Sequence, residues 1–373
     1  MQKKYTSLGL MSGTSGDGVD ASIIYSNGLD KFEAIKDKFF EYDSKIYKKI
    51  HSIKEKIFDE NDLKKLESEL NELEREITLF HAKIITEFDS LSKSFIVGFH
   101  GQTIYHSSKK KISKQLGNAE LLSQLTKKKI VYNFRENDLR NGGEGAPLTP
   151  IFHQLIANQK KMDLPVSFMN IGGISNITIV KKKDGSNELF SKDIGPGNCL
   201  IDSWVRKNSK NKFDKDGLLA SIGKKNEIIL EQAQELFMNR LNKKKNSYDI
   251  NDFDISFARG LTLEDGVATL TDFTANILGE ALYSIFQKDS NVQKILVCGG
   301  GRKNQILLNN IINKSPPNLI FELIDKYMID GDFVESQAFA YLAIRSFLKK
   351  PISYPSTTQV STPVTGGEIK INF

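Results

Sequence analysis

Cysteine is nearly absent. Cys199 and Cys298 lie far apart in unrelated surroundings, which leaves nothing for a disulfide framework and no ligand spacing for a zinc site. Long apolar runs are missing too. No window approaches a membrane span, and the opening MQKKYTSLGLM holds no apolar segment long enough for a secretory signal. The chain therefore reads as cytoplasmic, with no membrane partner. Tryptophan occurs once, and Trp204 is expected in a core. The net charge of +6 arises from dispersed lysine runs at 109–111, 127–129, 181–183 and 243–245, without aromatic interleaving or a nucleic-acid motif. These read as solvated loops and helix ends rather than a nucleic-acid surface.

What is present describes a globular chain. Hydrophobic residues make up 39% and charged residues 26% of 373, a length for which two domains are the default. A strand is expected up to Gly9, then the stretch GLMSGTSGDGVD at 9–20, then a second strand ending at Asn27-Gly28, a hairpin-type turn. Residues 45–90 read as helical, because Leu63, Leu66, Leu70, Leu73, Ile77, Phe80 and Ile84 recur at spacings of three and four. SFIVGFHGQTIYH at 94–106 reads as a buried strand followed by a glycine turn, and KIVYNF as a further strand. The polar, glycine-dense stretch RENDLRNGGEGAPLTPIFH at 135–153 suggests a boundary. We expect one domain from 1–135 plus about 346–373 and a second from 136–345.

The second half repeats the opening pattern. VSFMNIGGISNITIV at 166–180 is again strand, glycine turn, strand, and hints at duplicated architecture. DIGPGN at 193–198 then leads into a helix through Trp204. A long helix is expected over 264–286, a strand with three glycines and a helix over 294–311, and a buried helix over 331–348. Alternating strands and helices make the chain α/β.

The glycine stretch at 9–20 holds four glycines, three hydroxyl residues and two aspartates, but no lysine. A P-loop needs G-x-x-x-x-G-K-[ST]; Gly13 and Gly18 have the spacing, yet Val19 stands where the lysine belongs. A dinucleotide fingerprint needs G-x-G-x-x-G opening a helix, whereas a β-branched strand follows here. The third reading is a phosphate-binding β-hairpin, whose tip offers backbone N–H and hydroxyl donors while an aspartate reaches metal-bound water. A second hairpin at Gly172 and Gly173 and the turn Gly299, Gly300, Gly301 extend that reading to a nucleotide gripped from both sides.

In this order, GLMSGTSGDGVD, GFHGQTIYH, GGEGAPLTPIFH, NIGGISNIT, DIGPGN, EDGVATLT, LVCGGGRKN and GDFVESQAFAYLA resemble the anhydro-N-acetylmuramic acid kinases from about residue 7 to 367. Gly16 stands where a hydrophobic residue is usual, Glu144 where glutamine is common, and KKKNS at 243–247 where Pro-Pro-Lys-Ser occurs. The resemblance implies two ribonuclease-H-like domains of actin/hexokinase type around a nucleotide cleft. It implies a kinase that uses ATP and Mg²⁺ to open 1,6-anhydro-N-acetylmuramic acid with water and phosphorylate O6. The products are N-acetylmuramate 6-phosphate and ADP, in cell-wall recycling and amino-sugar metabolism. Asp193 matches the general base, with capping of the turn before Gly195 as its alternative role. Gly13, Thr14, Ser15, Gly16, Asp17, Gly18, Val19 and Asp20 form the phosphate cradle, with Asp17 reaching Mg²⁺ through water. His100, Gln102, Arg135, Asn176 and Glu335 are candidate substrate contacts; His100 could equally be a satisfied core histidine, and Arg135 an interdomain ion-pair partner. A homodimer is expected. Two other classes remain: a kinase of an ordinary hexose hydroxyl, against which GGEGAPLTP and DIGPGN count, and a non-catalytic ATP-driven binding protein, for whose peptide-binding domain the chain has no residues to spare.

Overall fold

The computed structural model describes residues 3–91, 95–183, 185–240, 247–248, 250–287 and 291–373. The lysine run at 243–245 and most of KKKNS thus lie outside the described residues. The chain divides into two compact units: residues 1–163, 182–191 and 332–373 form one, and residues 164–181 and 192–331 the other.

The first unit is built on the hairpin expected at the N-terminus. Strands β1 (Tyr5–Ser12) and β2 (Gly18–Ser26) pair antiparallel, and β3 (Phe32–Glu41) continues the meander through the Asn27-Gly28 turn. The Asn27 side-chain oxygen accepts from the N–H groups of Leu29, Asp30 and Lys31, which fixes that turn. The helical region is three helices, α1 (Ser44–Lys54), α2 (Glu60–Lys65) and α3 (Glu67–Phe88), broken where Asp59 caps α2. Leu70, Leu73, Ile77 and Ile84 of the expected stripe are all buried on α3. The long strand β4 (Ile96–Ser107) pairs parallel to β1. It runs straight through the expected glycine turn, because Gly101 at φ +75° makes an irregularity within the strand.

Next come β5 (Ile112–Leu116), α4 (Ala119–Thr126), β6 (Lys129–Tyr132), α5 (Glu136–Arg140) and α6 (Pro150–Gln159). The sheet order is β12-β6-β4-β1-β2-β3, where β12 (Glu368–Lys370) is the returning tail, and β5 pairs β4. One face packs on α1, α3 and α4. The other carries the apolar helix α12 (Val334–Phe347), which approaches β1 and β4 so closely that a Cβ at Gly9 would lie 1.9 Å from the Ser336 carbonyl oxygen. That packing explains why 136–163 and 332–345 group with the first unit, where the sequence reading had placed them in a second domain. One lysine within a run also departs from expectation. Lys128 is 8% exposed, pairs with Asp89 at 2.6 Å and lies over the Phe95 ring, so it is a buried partner and not a solvated end.

The second sheet, most of it in the second unit, repeats the plan. β7 (Val166–Ile171) and β8 (Ile174–Lys183) form an antiparallel hairpin continued by β9 (Ser186–Pro196), and β10 (Gln293–Cys298) lies parallel to β7 and to β11 (Leu319–Leu323). The order β11-β10-β7-β8-β9 matches β6-β4-β1-β2-β3 strand for strand. This is the ribonuclease-H-like α/β plan, present twice. Between β9 and β10 run α7 (Cys199–Asn208), α8 (Leu218–Ile222), α9 (Glu227–Arg240) and α10 (Leu263–Phe286), with α11 (Gln305–Asn313) after β10. Helix α10, capped by Thr262, is buried along most of its length and packs on α7, α8, α9 and α11. Trp204 lies in this core as expected, its indole N–H donating to the Leu263 carbonyl.

Candidate active site

In the first unit the tip between β1 and β2 is tied down through its carbonyls. The Gly13 oxygen accepts from the Gly16 N–H at 3.2 Å and from Gln102 Nε2 at 2.9 Å. The Thr14 oxygen accepts from Lys54 Nζ at 2.8 Å, and the Asp17 oxygen from the Tyr42 N–H at 2.9 Å. Among the described residues no protein acceptor takes the N–H of Gly13, Thr14 or Ser15. A tip with engaged oxygens and open donors is suited to receiving an anion. Gly16 sits at φ +63°, a left-handed conformation that favours glycine. The Ser15 hydroxyl donates to Asp17 Oδ1 at 2.6 Å and orients that carboxylate. Beneath the tip, burial pushes the Tyr42 phenol well up; its hydrogen bond with Ser12 opposes the shift and the Asp17 charge adds to it.

The second unit has the same electrical polarity at its own hairpin. The Gly172 oxygen accepts from the Asn198 N–H at 2.8 Å, and the Gly173 oxygen from the Gly197 and Cys199 N–H groups at 2.9 and 3.2 Å. No acceptor among the described residues takes the N–H of Gly172 or Gly173. These bonds staple the turn to the DIGPGN segment, whose first residue is Asp193. Asp193 is 7% exposed at the end of β9, and its Oδ2 accepts from the Tyr248 N–H at 2.8 Å. Burial, helped by the Asp193 and Asp252 charges, pushes the Tyr248 phenol up to about 12. A buried carboxylate oriented by a backbone N–H is suited to proton abstraction.

The triple-glycine turn after β10 divides its labour. A Cβ on Gly301 would lie 2.2 Å from Ile171 Cγ2, and one on Gly299, at φ +82°, would lie 2.3 Å from Asn170 Oδ1. Gly300 is exposed and a Cβ there would meet nothing within 4 Å. Two of the three glycines are required by packing, and the third presents bare, exposed backbone.

Comparison with known proteins gives these geometries a family. A family model described as anhydro-N-acetylmuramic acid kinase matches residues 5–371. The chain belongs to the anhydro-N-acetylmuramic acid kinase family. A protein of that name from Pelagibacter ubique (strain HTCC1062) is 54% identical over 376 aligned positions, covering the whole of both chains. One from Zymomonas mobilis subsp. mobilis is 34% identical, covering 97% of this chain and 98% of its own. The chain is accordingly a kinase, a nucleotide-using phosphotransferase, and no helix among the described residues is long and apolar enough to cross a membrane.

For an anhydro-N-acetylmuramic acid kinase, the remaining expected residues fall into clear groups. His100, Gln102, Arg135 and Glu335 all belong to the first unit. Arg135 donates from Nη2 and Nε to His100 Nε2 at 2.9 and 3.3 Å, and from Nη1 to the Gly145 oxygen at 2.8 Å. His100 donates from Nδ1 to the Gly101 oxygen at 2.8 Å. Burial, and then the Arg135 charge, hold its pKa well below the ordinary value, so the ring is neutral. His100 is thus a satisfied histidine that orients Arg135. Glu335, in the first turn of α12, has its carboxyl pushed up by burial, with the Arg135 charge opposing. Gln102 is fully buried and spends its amide N–H on the hairpin tip, so it holds the tip from behind; its Oε1 has no partner among the described residues. In the second unit Asn176 stands opposite Asn170 on the β7–β8 ladder, with Oδ1 buried and without a partner among the described residues.

One member of the expected cradle belongs elsewhere, and its neighbour continues the strand ladder. Val19 is fully buried in the core beneath the sheet, and Asp20 pairs with Met11 along the strand. Gly18 is glycine because a Cβ would strike the Phe40 oxygen at 2.4 Å. Residues that the sequence did not single out support the site. Asp138 is buried and accepts from the Gly145 N–H at 2.7 Å and the Thr358 hydroxyl at 2.5 Å, fixing the loop that holds Arg135. Lys54 and Tyr248 act through Thr14 and Asp193 as described. None of these carries a local signal. Among the described residues no cluster of three metal-ligating side chains occurs. A lone carboxylate at Asp17 fits Mg²⁺, which keeps most of its waters and takes its other ligands from phosphate.

Proposed function

We propose that this chain uses ATP and water to convert 1,6-anhydro-N-acetylmuramic acid into N-acetylmuramate 6-phosphate and ADP, a step of cell-wall recycling. Asp193 takes a proton from water as the water oxygen bonds to C1; the bridge oxygen leaves C1, remains on C6 and accepts the γ-phosphoryl group. The observation that carries this reading is the Asp193 carboxylate, buried and held at Oδ2 by the Tyr248 N–H at 2.8 Å. The open N–H groups of Gly13, Thr14 and Ser15 support phosphate binding at the first hairpin, and those of Gly172 and Gly173 at the second. Phosphoryl transfer depends mostly on positioning and electrostatic stabilisation, which such donors supply. Mg²⁺, reached by Asp17 through water, would neutralise phosphate charge. Arg135, oriented by His100 and Gly145, suits the lactyl carboxylate, while Glu335 and Asn176 suit sugar hydroxyl or amide groups. The bare Gly300 backbone suits the adenosine end. A cytoplasmic homodimer with no nucleic-acid partner completes the reading; light scattering in solution tests the dimer.

The decisive experiment labels the water. Turnover in ¹⁸O-water, read early before anomeric exchange, should place the label on C1 of the product and none on the phosphoryl group, with inversion at C1. An unlabelled sugar would make this an ordinary hydroxyl kinase. Retention would make Asp193 a nucleophile rather than a base.

A further inference from the structure

The residue after the triple-glycine turn has no part in the chemistry above, yet it is among the most constrained side chains in the second unit. Arg302 is 5% exposed. Its Nε and Nη2 donate to the two oxygens of Asp325, both at 2.9 Å, and Nη2 also reaches Asp330 at 3.3 Å. The remaining arm turns back, and Nη1 donates to the Gly299 oxygen at 3.2 Å. The Gly299 N–H in turn donates to the Gly331 oxygen at 2.9 Å, and the Gly331 N–H approaches Asp325 Oδ1 at 3.4 Å. Gly331 leaves space for the guanidinium, since a Cβ there would lie 2.5 Å from Arg302 Nε. Both backbone polar groups of Gly299 are therefore held by one network.

A buried ion cluster is weak evidence for stability, because apolar packing often serves as well. What a guanidinium supplies is a rigid planar fork with donors in fixed directions. Two of those directions are spent on Asp325, and a third is aimed at the first residue of the glycine turn. We infer that Arg302 is a positioning residue for the nucleotide, setting the path of the Gly299–Gly301 backbone on which the adenosine end of ATP lies. It acts through Gly299 and makes no contact with the reacting atoms. The inference rests on the proposed nucleotide role of that turn.

The test uses Arg302→Lys, Gly331→Ala and Gly300→Val in the full chain, with ATP and the anhydro sugar varied separately. Lysine keeps the charge and loses the fork, while the alanine displaces an intact guanidinium. Both should raise the ATP KM, by about tenfold for Arg302→Lys and less for Gly331→Ala. The KM for the sugar and kcat should stay within about twofold, a split that a general loss of fold would not produce. If Gly300→Val raises the ATP KM while Gly331→Ala and Arg302→Lys, both folded, leave it unchanged, the Arg302 inference is overturned and the turn's role stands. If Gly300→Val also has no effect, the nucleotide reading of the turn fails. Should Arg302→Lys not fold, Gly331→Ala decides alone, because the atoms nearest its added Cβ all belong to the Arg302 side chain and the guanidinium itself is kept.

Discussion

Alanine placed in turn at Gly299, Gly300 and Gly301 should separate folding from nucleotide binding within three consecutive residues. At Gly301 the added Cβ would sit 2.2 Å from Ile171 Cγ2 and 2.9 Å from the Ile171 oxygen. Overpacking of that kind costs about 1–3 kcal/mol. At Gly299 the overlaps are with Asn170 Oδ1 at 2.3 Å and the Ile171 oxygen at 2.7 Å. At φ +82° and ψ 164° Gly299 lies in a region essentially confined to glycine, which adds about 1–3 kcal/mol for a residue bearing a Cβ, so Gly299→Ala is the worst of the three. At Gly300 nothing lies within 4 Å, and the change should stay within about 0.5 kcal/mol.

Melting followed by circular dichroism reads the first quantity, and ATP-dependent initial rates read the second. A unit of this size loses about 2–4 °C per kcal/mol, so Gly301→Ala should melt about 6 °C early for a central 2 kcal/mol. Gly300→Ala should melt within a degree or two of the parent and yet raise the ATP KM by about tenfold, a loss of about 1.4 kcal/mol in nucleotide contact. The reasoning is refuted if Gly300→Ala binds ATP normally while Gly301→Ala keeps full stability. The assignment of two glycines to packing and one to the ligand would then be backwards.

Asp193→Asn keeps an acceptor for the Tyr248 N–H but cannot take the proton from water. It should lower kcat by about 10²–10⁴-fold, or about 3–5 kcal/mol, with ATP affinity within a few-fold. Near-parental turnover would remove Asp193 as the base. Gly13→Val should fold normally, since its Cβ meets only the Ser15 hydroxyl at 3.6 Å, but should sharply raise the ATP KM by blocking the tip. Unchanged nucleotide affinity in that variant would count against the hairpin as a cradle. His81 gives a pH prediction. It is fully buried, donates from Nδ1 to the Ile77 oxygen, and burial lowers its pKa from 6.5 to about 4. Below pH 6.5 the unfolded chain binds a proton that the folded chain refuses, so stability is highest above 6.5 and falls as pH drops toward 4. The urea midpoint should decline over that window and decline less steeply in His81→Leu; identical slopes would show that His81 does not contribute.

What could be read in the sequence was what is local. A hairpin tip that must present its own N–H groups needs glycine and small hydroxyl residues at adjacent positions, so both tips are visible as strings. The α3 stripe is visible because a helix repeats its buried face every three or four residues. Strings mislead where the strand begins. A β-strand turns successive side chains to opposite faces, so a motif that continues into β2 mixes ligand-facing with core residues, and Val19 was assigned to the cradle although it lies in the core. Lys128 looked like one lysine in a run, and only Asp89 and Phe95 make it a buried partner.

The supports were invisible for a further reason. Asp138, Lys54, Tyr248 and Arg302 act on the backbone of other residues or on the carboxylate of Asp193, and a backbone atom looks the same at every position of a sequence. The same reasoning explains His100 and Gln102. Their motif marks them as site residues, yet both ring nitrogens of His100 and the amide N–H of Gln102 are spent on Gly101, Arg135 and Gly13, one step behind the surface that a ligand would meet. A motif therefore marks both the residues that touch a ligand and those that hold them, and only the partner of each polar atom tells the two apart. On that criterion Asp17, Asp193 and Glu335 differ from His100. Each presents a carboxyl group whose described partners orient it or shift its charge, and carboxylate oxygens each accept more than one hydrogen bond.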